Sequence, residues 1–94
     1  MEFAWDDEKS ETNLKERGFD FEFASLIFEG DTLEKEDERQ NYGEVRVIAI
    51  GFADGIPLTV VYTDRDNDEG ETIRRIISAR RSNRREREAY EENV

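Results

Sequence analysis

The sequence predicts an α+β fold with two N-terminal helices, an antiparallel β-sheet of three to four core strands, and a C-terminal helix. Three observations carry this. Two acid-capped segments precede Gly30, a region that holds six of the ten aromatic residues. Three runs rich in β-branched residues, joined by short polar links, lie between Val45 and Ala79. Finally, Asn83-Arg84-Arg85-Glu86 has the spacing of a capping box, so the chain ends in a helix.

The elements follow in order. Glu2-Phe3-Ala4-Trp5 alternates polar and apolar and reads as a short strand. Asp6 is placed to cap a helix whose first turn holds Asp7 and Glu8, where the helix dipole favours acids. That helix runs to about Arg17 and stops at Gly18. Its only strongly apolar residue is Leu14, so it is expected to pack at that one point, flanked by Trp5 and Phe19. Asp20 caps a second helix, Phe21 to Phe28, which is apolar on most of its surface and is expected to be the main core helix. Thr32 to Glu36 reads as a charged edge strand and Asp37 to Gly43 as a loop. Val45 to Phe52 is apolar on both faces, the mark of a central strand. Ala53-Asp54-Gly55 is a turn signal, Leu58 to Thr63 the next strand, Asp64 to Gly70 an acidic turn, and Thr72 to Ala79 the last strand. Short links make these strands an antiparallel meander, with the helices expected on one side. The regions around Glu34–Glu44 and Asp64–Glu71 look loop-like or disordered. No internal repeat or domain boundary is visible, so residues 1–94 form one domain.

Composition narrows the chemistry. The 94 residues carry 25 acids and 14 bases, a net charge of −11. The imbalance is uneven: residues 1–44 hold 15 acids against 5 bases, while residues 45–94 hold 10 against 9. Eleven of the bases are Arg, whose planar fork suits phosphate and carboxylate. The overall acidity opposes non-specific nucleic-acid binding. The absence of Cys removes disulfides and thiolate metal sites, and the absence of His removes the usual general base and metal ligand. No metal or other cofactor is expected. No apolar run approaches the length of a membrane span and no signal-peptide pattern follows Met1, so a soluble, cytoplasmic protein with no membrane partner is expected.

Against this acidity, Ile73 to Tyr90 holds seven arginines and only two acids, Glu86 and Glu88. Most of these arginines have a simple structural explanation, pairing with the surplus acids, and that is accepted for Arg74, Arg75, Arg84 and Arg87. Arg80, at the end of the last strand, and Arg46, among Ile48, Ile50 and Phe52 on one strand face, are the stronger functional candidates. Tyr62 lies in the neighbouring strand, so Arg46, Tyr62 and Arg80 are expected to meet on one sheet face. Glu86 is a helix cap and also an acid among arginines, where a shifted pKa suits acid–base work. Lys9 and Asn13 share one helix face, which is either a binding surface or simply a solvated one. Asp64-x-Asp66-x-Asp68 lacks the glycine and glutamate offsets of a calcium loop and is read as a turn.

Taken together, these residues make the chain resemble the BrnT toxins of type II toxin–antitoxin systems. The resemblance rests on Phe3-Ala4-Trp5-Asp6 with Lys9 and Asn13; on Gly18, Phe21, Ala24 and Ile27-Phe28; on Gly43-Glu44-Val45-Arg46 and Ile50-Gly51; on Val60 to Thr63; and on Arg75 to Arg80 with Arg85-Glu86-Arg87 and Tyr90. It implies a RelE-like fold and a metal-independent endoribonuclease that arrests translation. It also implies a BrnA-type antitoxin partner in a hetero-oligomer, with DNA contacted only through that antitoxin. In such a site Arg46 and Arg80 would hold the scissile phosphate and Tyr62 or Glu86 would move protons. Lys9, Asn13, Lys15, Arg17 and Arg81 would contact RNA. The chain departs from the pattern at two places: Glu16-Arg17-Gly18 stands where the family usually has Lys-His-Gly, and Gln40, after Arg39, where it often has His. The competing reading is a catalytically weak or inactive antitoxin-binding module that acts in operon autoregulation.

Overall fold

The computed structural model describes residues 1–94 as an α+β unit around one mixed five-stranded sheet. In chain order, strand β1 (Glu2–Ala4) leads to helix α1 (Asp7–Arg17) and helix α2 (Phe21–Ala24), which continues as a 3₁₀ turn (Ser25–Glu29). Strands β2 (Leu33–Glu36), β3 (Val47–Ala53), β4 (Ile56–Asp66) and β5 (Thr72–Arg81) follow, and helix α3 (Arg84–Asn93) closes the chain. The sheet order is β1-β5-β4-β3-β2. β3 to β5 form the expected antiparallel meander, which β2 extends at the edge, but β1 pairs with β5 in parallel, Glu2 to Ala4 lying beside Ile73 to Arg75. Beyond Arg75, β5 therefore has no strand on its outer side.

Local chemistry sets most boundaries. The Asp6 carboxylate accepts from the Lys9 amide at 3.1 Å, and Gly18 ends α1 in the left-handed conformation (φ 86°). Asp20 caps α2 through the Phe23 amide at 2.8 Å. Asp54 and Gly55 join β3 to β4, both with positive φ (49° and 79°), the geometry of a two-residue hairpin turn. The α1 expectation needs correction: Leu14 is half exposed, whereas Ser10 and Asn13 are buried. Ser10 Oγ accepts from the Phe21 amide at 3.0 Å, and Asn13 Nδ2 donates to the Phe19 carbonyl at 2.9 Å. Two polar side chains thus dock α1 onto α2.

The core lies on the face made by Ala49, Ala53, Leu58, Val60, Tyr62, Ile76 and Ala79, covered by Phe19, Phe21, Ala24 and Ile27. Only 19 of the 94 residues are buried, so this single layer carries most of the apolar burial. Gly51 lets the 3₁₀ turn approach β3 closely: a Cβ there would lie 3.0 Å from Ile27 Cβ and 3.1 Å from Thr32 Cγ2.

Two other expectations need correction. The helices do not share one side, because Tyr90 of α3 packs on Phe52 (ring centroids 5.3 Å apart), on the face opposite the core. The segment Asp64–Glu71 is not disordered: β4 runs on to Asp66, paired with Thr72, and the Asn67 carboxamide oxygen accepts from the Glu69 and Glu71 amides at 2.9 Å each. The Glu34–Glu44 region holds the expected edge strand and loop, the loop tied down by Asp37. No helix is long and apolar enough to cross a membrane.

Candidate functional site

Residue parity decides which arginines share a face. In β4, Thr59, Val61 and Thr63 point away from the core. β5 opposes Val61 with Ser78 but Tyr62 with Ile76, so Ile77 is an extra residue, a β-bulge. The bulge resets the alternation of β5. Ser78 and Arg80 face away from the core above it, and Arg75, opposite Thr63, does so below it. Arg74 and Ile76 turn to the core side.

The expected meeting of Arg46, Tyr62 and Arg80 therefore does not occur. Tyr62 is 3% exposed and sits in the core face, its hydroxyl donating to Glu34 Oε1 at 2.6 Å. Burial first, then the Glu34 hydrogen bond, push its pKa above the usual tyrosine range. Arg74 lies over the Tyr62 ring at 3.9 Å and the Phe28 ring at 4.8 Å, and pairs with Asp64 through two 2.8 Å bonds. Its hydrogen bonds to Asp64 raise its pKa further.

Arg46 and Arg80 do occupy the other face, at opposite ends. Beside Arg46 a recess of about 40 Å³ is lined by Asp6, Lys9, Glu44, Arg46, Arg75 and the bulge residues. Three cations thus converge with two carboxylates. Arg46 Nε donates to Glu44 Oε2 at 3.1 Å, whereas the Lys9 and Arg75 side chains have no carboxylate within ion-pair distance. In a chain with 25 acids, an unpaired arginine beside a second arginine and a lysine marks a place for an anion. Sequence reasoning had assigned Arg75 to ion pairing. The bulge that brings it to this face leaves no trace in residue alternation.

From Lys9 an open groove of about 650 Å³ continues along α1 past Asn13, Lys15 and Arg17 to Ile77 and Ser78. Four of the five residues expected to contact RNA line it. Two also have structural bonds: Arg17 donates to the Ala79 carbonyl at 2.8 Å, covering the open edge of β5, and to Asn13 Oδ1 at 3.2 Å. The fifth, Arg81, lies apart, in a hollow with Leu14, Phe23 and Ile56.

Arg80 makes two bonds to Glu86, at 2.7 and 2.8 Å, and Glu86 also accepts from the Asn83 amide at 2.8 Å to complete the capping box. These bonds, Arg80's first, hold the Glu86 carboxyl below the usual glutamate range and Arg80 above the usual arginine range. Glu86 is thus fixed as an anion that orients Arg80. Arg39 stands near enough for its charge to oppose that of Arg80.

The loop before β3 completes the face. Tyr42 lies against the Arg46 guanidinium, 4.0 Å from ring centroid to carbon, and its hydroxyl donates to Asp37 at 3.1 Å. Neither Arg39 nor Tyr42 was singled out from sequence. Along α1 the cations Lys9, Lys15 and Arg17 alternate with the carboxylates of Asp6, Glu8, Glu11 and Glu16, so the recess at Arg46 and Arg75 is where cations gather most closely. Residues 5–86 match a family model described as ribonuclease toxin, BrnT, of type II toxin-antitoxin system. No curated protein matches the chain.

Proposed function

The chain belongs to the BrnT family of ribonuclease toxins of type II toxin–antitoxin systems, and from that premise we propose that it cleaves RNA at the recess between Lys9, Arg46 and Arg75. The observation that carries this is the unpaired Arg75 held beside Arg46 and Glu44 on the face away from the core.

The chemistry follows from those side chains. A ribose 2′-hydroxyl gives its proton to Glu44, and its oxygen bonds to the adjacent phosphorus. The bond from phosphorus to the 5′ oxygen breaks, and that oxygen takes a proton from the Lys9 ammonium. The products are a 2′,3′-cyclic phosphate and a 5′-hydroxyl. Arg46 and Arg75 neutralise the charge that builds on the phosphoryl oxygens, a role fixed cations perform without solvent reorganisation. With the chain's own cations supplying that charge, the step runs without a metal. Arg80, aimed by Glu86, contacts a neighbouring phosphate, and Lys9, Lys15 and Arg17 guide the strand along α1. Tyr62 takes no part, since its hydroxyl is buried on the far face.

In this reading residues 1–94 form a single RelE-like domain acting in the cytoplasm, where RNA cleavage inhibits translation. Its protein partner is a BrnA-type antitoxin, which forms a hetero-oligomer with it and provides any contact with DNA. The test is incubation of purified protein with RNA in EDTA. Cleavage by the wild type and its loss in Arg75→Ala and Arg46→Ala are expected; intact RNA, or equal cleavage by both variants, overturns the reading. A second reading, an antitoxin-binding module without catalysis, is favoured by the full engagement of Arg80 with Glu86 and by the lack of histidine. Normal growth on induction without antitoxin, with the antitoxin still captured, selects it.

A further inference from the structure

Of the 25 acids in the chain, Asp37 alone is buried, and it sits at the start of an otherwise exposed loop. Its carboxylate accepts from Arg39 Nε and Nη2 at 2.8 Å each, from the Arg39 amide at 3.2 Å, and from the Tyr42 hydroxyl at 3.1 Å. Its own amide donates to the Arg46 carbonyl at 2.7 Å. Asp37 therefore holds Arg46 from two directions: at the backbone directly, and at the guanidinium through the Tyr42 ring 4.0 Å away. A buried carboxylate is costly unless its lone pairs are satisfied, and here all its partners belong to the segment that ends at Arg46.

We propose that Asp37 is a positioning residue for the anion-binding recess: it sets Tyr42 as a platform that aims the Arg46 guanidinium at the substrate phosphate, and it holds Arg39 out towards the same face. This rests on the reading of that face as the ribonuclease site. Two bonds fix Arg39 on its own neighbour Asp37, so its charge is presented at a constant place although the side chain is 72% exposed. The Tyr42 ring supports one side of Arg46 while Glu44 holds Nε, which leaves the Nη groups to meet an anion.

The experiment compares wild type, Asp37→Asn, Tyr42→Leu and Tyr42→Phe by kcat and KM on an oligoribonucleotide, and by the Arg46 Nε–H resonance, which the Tyr42 ring current displaces. Asp37→Asn and Tyr42→Leu are expected to move that resonance and to lower kcat by about tenfold to a hundredfold, with a smaller change in KM. Tyr42→Phe keeps the ring but cuts its one bond to Asp37, and is expected to move the resonance and lower kcat to a level between wild type and Tyr42→Leu; a Tyr42→Phe indistinguishable from wild type in both would overturn the role of Asp37 in setting the ring. A resonance that moves while kcat holds, or a rate loss that merely tracks the unfolded fraction, overturns the proposal. If Asp37→Asn does not fold, Tyr42→Leu, which leaves the Asp37–Arg39 pair intact, decides alone. If wild type leaves RNA intact, the ribonuclease reading fails, and affinity for a 2′-deoxy-substituted oligonucleotide becomes the measure: about tenfold weaker binding by Tyr42→Leu supports the positioning role, and equal binding removes it.

Discussion

Arg74 and Arg75 are neighbours in β5 and leave the sheet on opposite faces. Arg74 lies on the rings of Tyr62 and Phe28 and is clamped by Asp64; Arg75 enters the recess beside Arg46 with no acid to hold it. One serves the fold and the other is free to serve a substrate. Their alanine variants should separate those roles.

Arg75→Ala should leave the melting temperature nearly unchanged, as for most exposed substitutions, while lowering cleavage about a hundredfold through loss of charge at the phosphate. Arg74→Ala should do the reverse. It should destabilise by about 1–2 kcal/mol, from the lost cation–π contacts and ion pair, with cleavage per folded molecule unchanged. Thermal melts and single-turnover rates on the same preparations decide the matter. A slow but fully stable Arg74→Ala would mean that the two faces have been exchanged.

Tyr62→Phe tests whether the core tyrosine moves protons. The ring stays packed against Phe28, edge to face at 5.3 Å. Only the hydrogen bond to Glu34 is lost, at a cost of about 1 kcal/mol. Cleavage should remain within about twofold of wild type, a margin below 0.5 kcal/mol in barrier height, and its pH profile should not move. A drop of two orders of magnitude would return the tyrosine to the mechanism.

Acid should loosen α3 through Glu86. Its folded-state carboxyl titrates below the ordinary value of 4.5. A depressed pKa means that the stabilisation is present above that value and is lost as pH falls through the folded-state value. The melting-temperature gap between wild type and Glu86→Gln, which keeps a capping residue but loses the charge pair with Arg80, should therefore be widest at neutral pH, where that pair contributes up to about 1 kcal/mol, and should close in acid. A gap independent of pH would show that the ionised carboxylate is immaterial.

Gly51→Ala should destabilise by about 1–3 kcal/mol, the usual cost of overpacking. The added methyl meets Ile27 Cβ at 3.0 Å, and the 3₁₀ turn has little room to retreat. Urea unfolding is a direct measure. An unchanged midpoint would mean that the turn moves freely over β3.

The sequence made the α+β class, the caps at Asp6, Asp20 and Asn83, the Asp54-Gly55 turn and the edge position of β2 readable, because each depends on residues close together in the chain. What it hid depends on pairing between distant residues. The parallel docking of β1 beside Ile73 to Arg75 has no local signature. Nor does α3 crossing to the face of Phe52, since both sheet faces carry apolar residues. Asn13 drew notice as a poor helix former, and its burial supplies the reason: its carboxamide bonds the Phe19 carbonyl. Arg46, Lys9 and Glu44 appeared as separate features, and only the register joined them. Asp37 looked like one more acid in an acidic loop; burial sets it apart.

The extra residue at Ile77 gives β5 two registers of meaning. Above it, even-numbered side chains look away from the core; below it, odd-numbered ones do. Removing Ile77 would thus act as a logical inversion of the lower half of the strand. Arg75 would be sent inward against the aromatic rings and Arg74 outward into the recess, without altering the chemical identity of either residue. A family alignment that places a single-residue gap in this strand would be describing a different active surface, however similar the remaining letters.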